Sequence, residues 1–371
     1  MDKVLIIGSF GENLLEFRGA LIKKLIEKEK RIFIAIPFKT TPEKTIKKLE
    51  EMGVTLFNLK LKKAQFSMIS DLNYFINLFS IMMKLKPQLV LSYAIKPIVY
   101  GSIAARILSI KRISIMFTGL GHLFIDIKKS FLQKVAISLV KFATSLADSL
   151  IFQNSDDRKE LEKLNFIKRR HKVIVVDGSG IDLKKYKFKE LNSNSQIKFL
   201  MISRLIEEKG VLEYLKSSRE IKKEYPDVLF QLGGFFDDNP SSLSKDSIDE
   251  YVKDGSIEFL GKLSDVRPSI EEATVFVLPS YREGLPRTVL ESMAIGRPII
   301  TTNVPGCRET VQEGNNGFLA KPRSSKSLSK QMKKILNQRN SLQDMGYSSR
   351  KISEERFCDK KVAENIYAFL F

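Results

Sequence analysis

The sequence predicts an α/β protein made of two parallel-sheet domains in tandem, and three observations lead there. Short apolar runs alternate with longer amphipathic segments, as strands buried on both faces do when helices connect them. The 371 residues exceed one ordinary core and suggest two domains of roughly 150–200 residues. A polar stretch, Leu191-Asn-Ser-Asn-Ser-Gln196, interrupts the pattern in mid-chain like a linker. With 43% apolar residues, disorder as the dominant state is excluded.

Val4–Gly8 is an apolar run and reads as the first strand, followed by the loop Gly8-Ser-Phe-Gly-Glu-Asn13 and a helix over about Leu14–Lys28. Arg31–Pro37 is the second strand. Thr41–Met52 reads as a helix that stops near Gly53, and Val54–Leu59 as the next strand. Phe66–Leu85 is a helix closed by Lys86-Pro87, and Leu89–Ser92 a buried strand. Pro97–Leu108 is helical, Ile113–Phe117 extended, Phe131–Ala147 helical, Ser149–Phe152 extended and Asp156–Leu164 helical, with Val173–Val176 closing the first half. The second half opens with the strand Ile197–Ile202, the helix Val211–Glu224 and the strand Val228–Gly233. Ile257–Leu260 and Val275–Pro279 follow as strands, then a helix over about Arg287–Ile295, the strands Pro298–Thr302 and Gly317–Leu319, and helices from about Ser325 onward. Two Rossmann-like halves, 1–190 and 191–352, are the architecture expected. A deep interdomain cleft is expected with them, because ligands sit at the carboxyl ends of parallel strands.

Charge is lopsided. Residues 1–190 carry 35 Lys and Arg against 18 Asp and Glu, which is +17 of the chain's +19. Such a field attracts phosphate, on a nucleotide, a nucleic acid or an anionic leaflet. A general Lys-rich habit would raise both halves alike. Two cysteines, Cys307 and Cys358, make no disulfide framework and point to a reducing compartment, and two histidines exclude a His-rich metal site. Met1–Gly8 is too short an apolar run for a signal peptide. Ser70-Asp71, Asn73 and Asn77 interrupt the greasy stretch Phe66–Leu85, so it forms no comfortable span. The protein is expected to be soluble or peripheral.

Three places can carry chemistry. In Glu283-Gly-Leu-Pro-Arg-Thr-Val-Leu-Glu291, Pro286 suits the first helical position, so the amides of Arg287, Thr288 and Val289 would face an anion such as a diphosphate. Glu291 lies about 7–8 Å along that helix, the reach from a diphosphate to a ribose whose hydroxyls a carboxylate accepts. The plainer alternative makes Glu283 a capping or loop residue and Glu291 a surface residue. In Ser203-Arg204-Leu-Ile-Glu-Glu-Lys209-Gly210, Arg204 and Lys209 straddle a strand-to-helix loop and suit adjacent phosphates. Alternatively they pair with Glu207 or Glu208. With no Asp-x-Asp in the chain, no obvious metal-bridging carboxylate pair is visible, and fixed cations would neutralise a departing diphosphate. Phe117-Thr-Gly119-Leu-Gly121-His122 lets backbone approach a ligand and holds one of the two imidazoles. As a dinucleotide fingerprint it is weak, because it does not follow the first strand and lacks an acidic ribose partner. His122 is equally read as a satisfied structural histidine.

Together these stretches resemble the retaining nucleotide-sugar glycosyltransferases of family 4, which have the GT-B fold. SRLIEEKG (203–210), GKLSDVRP (261–268) and the run 275–319 are similar to its donor site, with the Glu-x7-Glu signature at Glu283 and Glu291. IGSFGENLLEFRGALIKKL (7–25), LSYAIKPIVYGSIAAR (91–106), FTGLGHLF (117–124) and FQNSDD (152–157) resemble the subgroup that extends bacterial surface polysaccharides, O-antigens and lipid-linked oligosaccharides. The resemblance implies that Glu291 holds the ribose and that Arg204, Lys209 and the amides of Arg287, Thr288 and Val289 hold the diphosphate. Gly284 and Leu285 belong to the same donor site, and Leu263 meets the base through its main chain. Glu283 would steady charge at the transferred sugar, with His122 near its primary hydroxyl. Gly11 would let the acceptor or diphosphate come close. It further implies an N-terminal acceptor domain, a C-terminal donor domain, and a last helix, about 353–371, packed back on the first.

The partners implied are a nucleotide-sugar, UDP-linked, and a polyprenyl-diphosphate-linked glycan at the anionic cytoplasmic leaflet, with no metal or other cofactor. Phe66–Leu85, with Phe75, Phe79, Met82 and Met83, would then either dip into the interface or simply pack on its sheet. Other readings remain: a glycosyltransferase with a soluble or different lipid acceptor, an epimerase or phosphorylase of similar architecture, and a nucleic-acid-binding protein. No lysine has a pyridoxal setting. The aromatics sit in apolar strand and helix patterns rather than among the basic residues, which argues against nucleic acid.

Overall fold

In the computed structural model the chain divides into two compact units, Met1–Gly180 with Asp359–Phe371, and Ile181–Cys358. The structure describes residues 2–60, 68–121, 131–192, 196–236 and 241–371.

The first unit holds strands β1 (Lys3–Ile7), β2 (Arg31–Ile36), β3 (Thr55–Asn58), β4 (Leu89–Tyr93), β5 (Arg112–Phe117), β6 (Ser149–Phe152) and β7 (Lys172–Val175). Its helices are α1 (Leu14–Glu27), α2 (Glu43–Glu51), α3 (Met68–Leu85), α4 (Ser102–Ile107), α5 (Phe131–Leu146), α6 (Ser155–Lys163) and, from the other end of the chain, α13 (Asp359–Leu370). The strands pair in parallel in the order β3-β2-β1-β4-β5-β6-β7. Because strand side chains alternate, β1 feeds two cores. Val4 and Ile6 pack with Leu21, Leu49, Val362 and Ile366 on the side of α1, α2 and α13. Leu5 and Ile7 pack with Leu78, Ala104, Val140 and Leu161 on the side of α3, α4, α5 and α6. Both faces are covered, which is why these strands read as nearly unbroken apolar runs.

The second unit holds β8 (Lys198–Arg204), β9 (Leu229–Phe235), β10 (Glu258–Gly261), β11 (Val275–Leu278), β12 (Ile299–Thr302) and β13 (Gly317–Ala320). Between and after them come α7 (Val211–Glu224), α8 (Lys245–Lys253), α9 (Arg267–Glu272), α10 (Arg287–Ile295), α11 (Ser325–Asn337) and α12 (Leu342–Glu355). This sheet is also parallel, ordered β10-β9-β8-β11-β12-β13, around a single core.

Three features differ from the sequence reading. The units divide between Gly180 and Ile181, ahead of the polar stretch at 191–196, since the residues before that stretch are already anchored in the second unit. They divide again between Cys358 and Asp359, so that 353–358, with the end of α12 and the buried Phe357, stay in the second unit and only Asp359–Phe371 returns to the first. Ile181 and Tyr186 are buried in its core, Phe188 stacks on Tyr347 at 5.0 Å, and the Leu191 amide donates to Gln343. Pro97–Leu108 is not one α-helix: a wide π turn over Pro97–Gly101 precedes α4. Helices α8 and α9 add to the elements read from the sequence. They bury only Ile248 with Tyr251, and Ile270, too few apolar positions to show a period.

Candidate functional site

In the second unit's sheet the strand order reverses between β8 and β11, the place where parallel sheets bind ligands beyond their carboxyl ends. The two loops singled out from the sequence leave these two strands, and the fold ties them together. The Tyr281 amide donates to the Glu208 carbonyl at 2.8 Å. Gly210, at φ +73°, caps the turn Glu207–Lys209 in a left-handed conformation with its backbone against the Pro279 carbonyl; a Cβ there would lie 2.1 Å from that oxygen. Lys209 is thereby held at the Glu283 loop, and its ammonium pairs with Glu283 Oε1. Ser280 Oγ donates to the same oxygen at 2.6 Å. The Glu283 amide donates to the Pro305 carbonyl at 3.1 Å. Gly306 follows at φ +76°, where a Cβ would strike the Glu283 and Gly284 carbonyls.

Lys209 and Glu283 are mostly buried, at 21% and 13% side-chain exposure. The alternative in which Lys209 pairs with Glu207 or Glu208 is therefore not the one formed; Glu208 instead accepts from Ser241 Oγ at 2.6 Å. Glu283 lies in the loop three residues ahead of the N-cap residue Pro286, with its Oε1 engaged by Lys209 and Ser280. Arg204 is the last residue of β8 and is exposed at the same edge. Behind Glu283 lies Cys307, whose thiol is pushed up to about 12 by burial and further by the Glu283 carboxylate.

Helix α10 starts at Arg287, as read from the sequence, but Pro286 is not inside it. Pro286 is extended (φ −74°, ψ 111°) and precedes the first turn. Its carbonyl accepts from Val289 at 3.1 Å and Leu290 at 3.2 Å. The Val289 amide is thus already paired, and an anion at this helix end would meet the amides of Arg287 and Thr288. Glu291 is not a surface residue: its side chain is 6% exposed. Its Oε1 accepts from Arg287 Nε at 3.0 Å and from the Tyr186 hydroxyl at 2.8 Å. Tyr186 belongs to no motif in the sequence. Its proximity to Glu291, 105 residues away, follows only from the chain segment 181–190 lying in this unit.

Leu285 is partly buried against the core, and Leu263, in the turn after β10, packs over Gly233, which has no side chain to obstruct it. Gly11, in the first unit, is buried against Thr41, whose side chain fills the place of a Cβ. His122 lies outside the described residues. Among the described residues no three His, Cys, Asp or Glu side chains gather as metal ligands.

Comparison with known proteins agrees with this geometry. Residues 182–352 match the family model for glycosyl transferases group 1, and residues 12–154 match the model for glycosyl transferase 4-like domains. The chain is 28% identical over 340 residues to the Campylobacter jejuni N,N'-diacetylbacillosaminyl-diphospho-undecaprenol α-1,3-N-acetylgalactosaminyltransferase, covering 88% of this chain and 87% of that one. It is 27% identical over 270 residues to the Escherichia coli UDP-Gal:α-D-GlcNAc-diphosphoundecaprenol α-1,3-galactosyltransferase, covering 68% and 67%. Sucrose-phosphate synthase of Thermosynechococcus elongatus superposes with a TM-score of 0.82 at 16% identity over 99% of this chain and 98% of that one, a likeness of fold. Two parallel sheets, a Glu-x7-Glu loop and helix at a strand switch point, and these matches together place the chain in glycosyltransferase family 4, with the GT-B fold.

Proposed function

We propose that the enzyme moves a hexose or N-acetylhexosamine from a UDP-sugar to a polyprenyl-diphosphate-linked glycan during assembly of a bacterial surface polysaccharide or O-antigen. The observation that carries the donor reading is the convergence of Lys209 and Glu283 in front of α10, with Glu291 fixed by Tyr186 and Arg287 one turn further on. The two relatives above act, by their names, on undecaprenyl-diphosphate-linked sugars, and this supports the acceptor reading.

The diphosphate would lie against Arg204, Lys209 and the first amides of α10, with the ribose hydroxyls on Glu291. Leu263 would meet the base. As the bond from the anomeric carbon to the phosphate oxygen breaks, its electron pair stays on the diphosphate and the sugar becomes oxocarbenium-like. Fixed cations and helix amides stabilise the first charge, at about 3–4 kcal/mol per well-placed donor, without a metal ion. Glu283 stabilises the second. The acceptor hydroxyl attacks from the face the phosphate is leaving and gives its proton to the phosphate oxygen, so configuration is retained. The work would be done at the cytoplasmic face of the inner membrane.

Calorimetry with UDP and GDP tests the donor site, and turnover of a UDP-sugar panel with a detergent-solubilised polyprenyl-diphosphate sugar tests the transfer. UDP binding at micromolar level, about −8 kcal/mol, is expected. Absence of binding by either nucleotide removes the donor assignment, and donor hydrolysis without transfer to the lipid-linked sugar removes the acceptor assignment.

A further inference from the structure

We infer that the outer faces of α3, α4 and α5 form the surface by which the first unit lies on an anionic lipid bilayer. The inference rests on the lipid-linked acceptor proposed above and names the surface that would reach it.

Helix α3 is apolar on two opposite sides. Tyr74, Leu78, Met82 and Leu85 point into the core. Leu72, Ile76 and Met83, four and seven residues apart on the other side, are 59%, 55% and 49% exposed. A soluble surface helix turns polar residues outward. Helix α5 repeats the arrangement, with Val135 and Phe142 41% and 54% exposed, and Ile107 on α4 between them is 61% exposed. Helix α4 touches both neighbours, so these side chains lie on adjacent helices on one side of the sheet. Nearly half of the large exposed apolar side chains among the described residues fall on these three helices.

Charge settles what covers the surface. Its exposed cations include Lys84 on α3 and Lys134 on α5. No acidic side chain occurs on α4 or α5, and the one on α3, Asp71, is buried in an ion pair with Lys96 at 2.6 Å. The apolar side chains lie among the exposed Lys84 and Lys134, and the one partly exposed acid close to them, Asp148 just past α5, is paired with Arg106 of α4 at 3.0 Å. On the strongly basic part of the chain they complement an anionic headgroup layer over hydrocarbon. Of the residues singled out from the sequence for this role, Met83 faces outward. Met82 is buried, and Phe75 and Phe79 pack against the core.

The test is flotation of the full-length protein with vesicles of phosphatidylcholine alone or mixed with phosphatidylglycerol. Wild type is expected to float with the mixed vesicles, less so at high salt. Combined Leu72→Ser, Ile76→Ser and Phe142→Ser should lower the bound fraction about tenfold, and Lys84→Glu with Lys134→Glu should do so on mixed vesicles. Both variants should keep the wild-type melting temperature and affinity for UDP, because none of these residues lies in the donor loops. A wild type that stays with the aqueous phase, or a triple variant that floats as well as wild type, overturns the inference. So does a wild type that fails to float and instead forms a dimer that the triple variant splits. Transfer to a detergent-solubilised acceptor without flotation would leave the proposed reaction standing and remove only this surface.

Discussion

Tyr186 and Arg287 donate to the same oxygen of Glu291, so in the proposed donor site the carboxylate would be aimed before any nucleotide arrives. Removing one donor while keeping the ring should loosen that aim without touching the reacting atoms. Tyr186→Phe is expected to raise KM for the nucleotide-sugar about tenfold and leave kcat nearly unchanged, the loss of one hydrogen bond to a charged group. Steady-state kinetics would show an equal fall in kcat if Tyr186 acted in the chemical step. Lys209→Ala and Glu283→Ala should behave differently, with kcat down about 10²–10³-fold in a protein that still folds but melts somewhat lower, because each leaves a mostly buried charge without its partner. Near-normal turnover in either variant removes that residue from the catalytic set. The motif residues were legible because a strand end, a glycine and a helix start fall in fixed succession. Tyr186 was not, because a lone tyrosine in a basic stretch carries no local signal. The occupied Val289 amide was illegible for another reason: whether Pro286 falls just inside or just before the helix depends on one ψ angle.

Among the elements, α10 is the part on which the proposed donor site hangs, and its far end is pinned by close packing. Gly296 ends the helix, and Gly346 of α12 lies so close that a Cβ there would sit 2.4 Å from the Gly296 carbonyl oxygen. Gly346→Ala therefore has no room. It should destabilise the second unit by about 1–3 kcal/mol, the cost of overpacking, measured by denaturant unfolding; an unchanged midpoint would contradict the packing. Beside it Arg297, 1% exposed, donates to the carbonyls of Ala273, Ile295 and Lys189, and burial pulls its guanidinium down to about 10. A buried arginine in a Gly-Arg-Pro turn reads in sequence as a helix stop and gives no hint of these carbonyls. Most strands and long helices were legible to within a few residues, since burial on both sheet faces imposes long apolar runs. The short helices α8 and α9 were not, because one or two buried residues make no repeat.

At the scale of the whole molecule, acid should act on the first unit through His171. The residue is 8% exposed, its Nδ1 accepts from the Lys168 amide at 3.1 Å, and burial, with Arg170 and Lys168 nearby, holds its pKa below the ordinary value of 6.5. The folded state favours the neutral ring, so the contribution is complete above pH 6.5 and is lost as pH falls through the lowered folded value. His171→Gln should flatten the fall in stability below pH 6.5, and an unchanged slope in urea titrations across that range would rule His171 out as its source. The charge asymmetry was legible by counting, and so was the existence of two sheets. Their dividing point was not, because composition marks the polar stretch 191–196 while the contacts of Ile181 and Tyr186 set the boundary. Helix α13 has a consequence for how the polypeptide matures. A ribosome delivers Ile181–Cys358 as one unbroken run, whereas the groove beside Leu21 and Ile22 of α1 must wait for Val362 and Ile366. The part started first is thus the last to be sealed, and during synthesis it presents a greasy seam that a chaperone can hold.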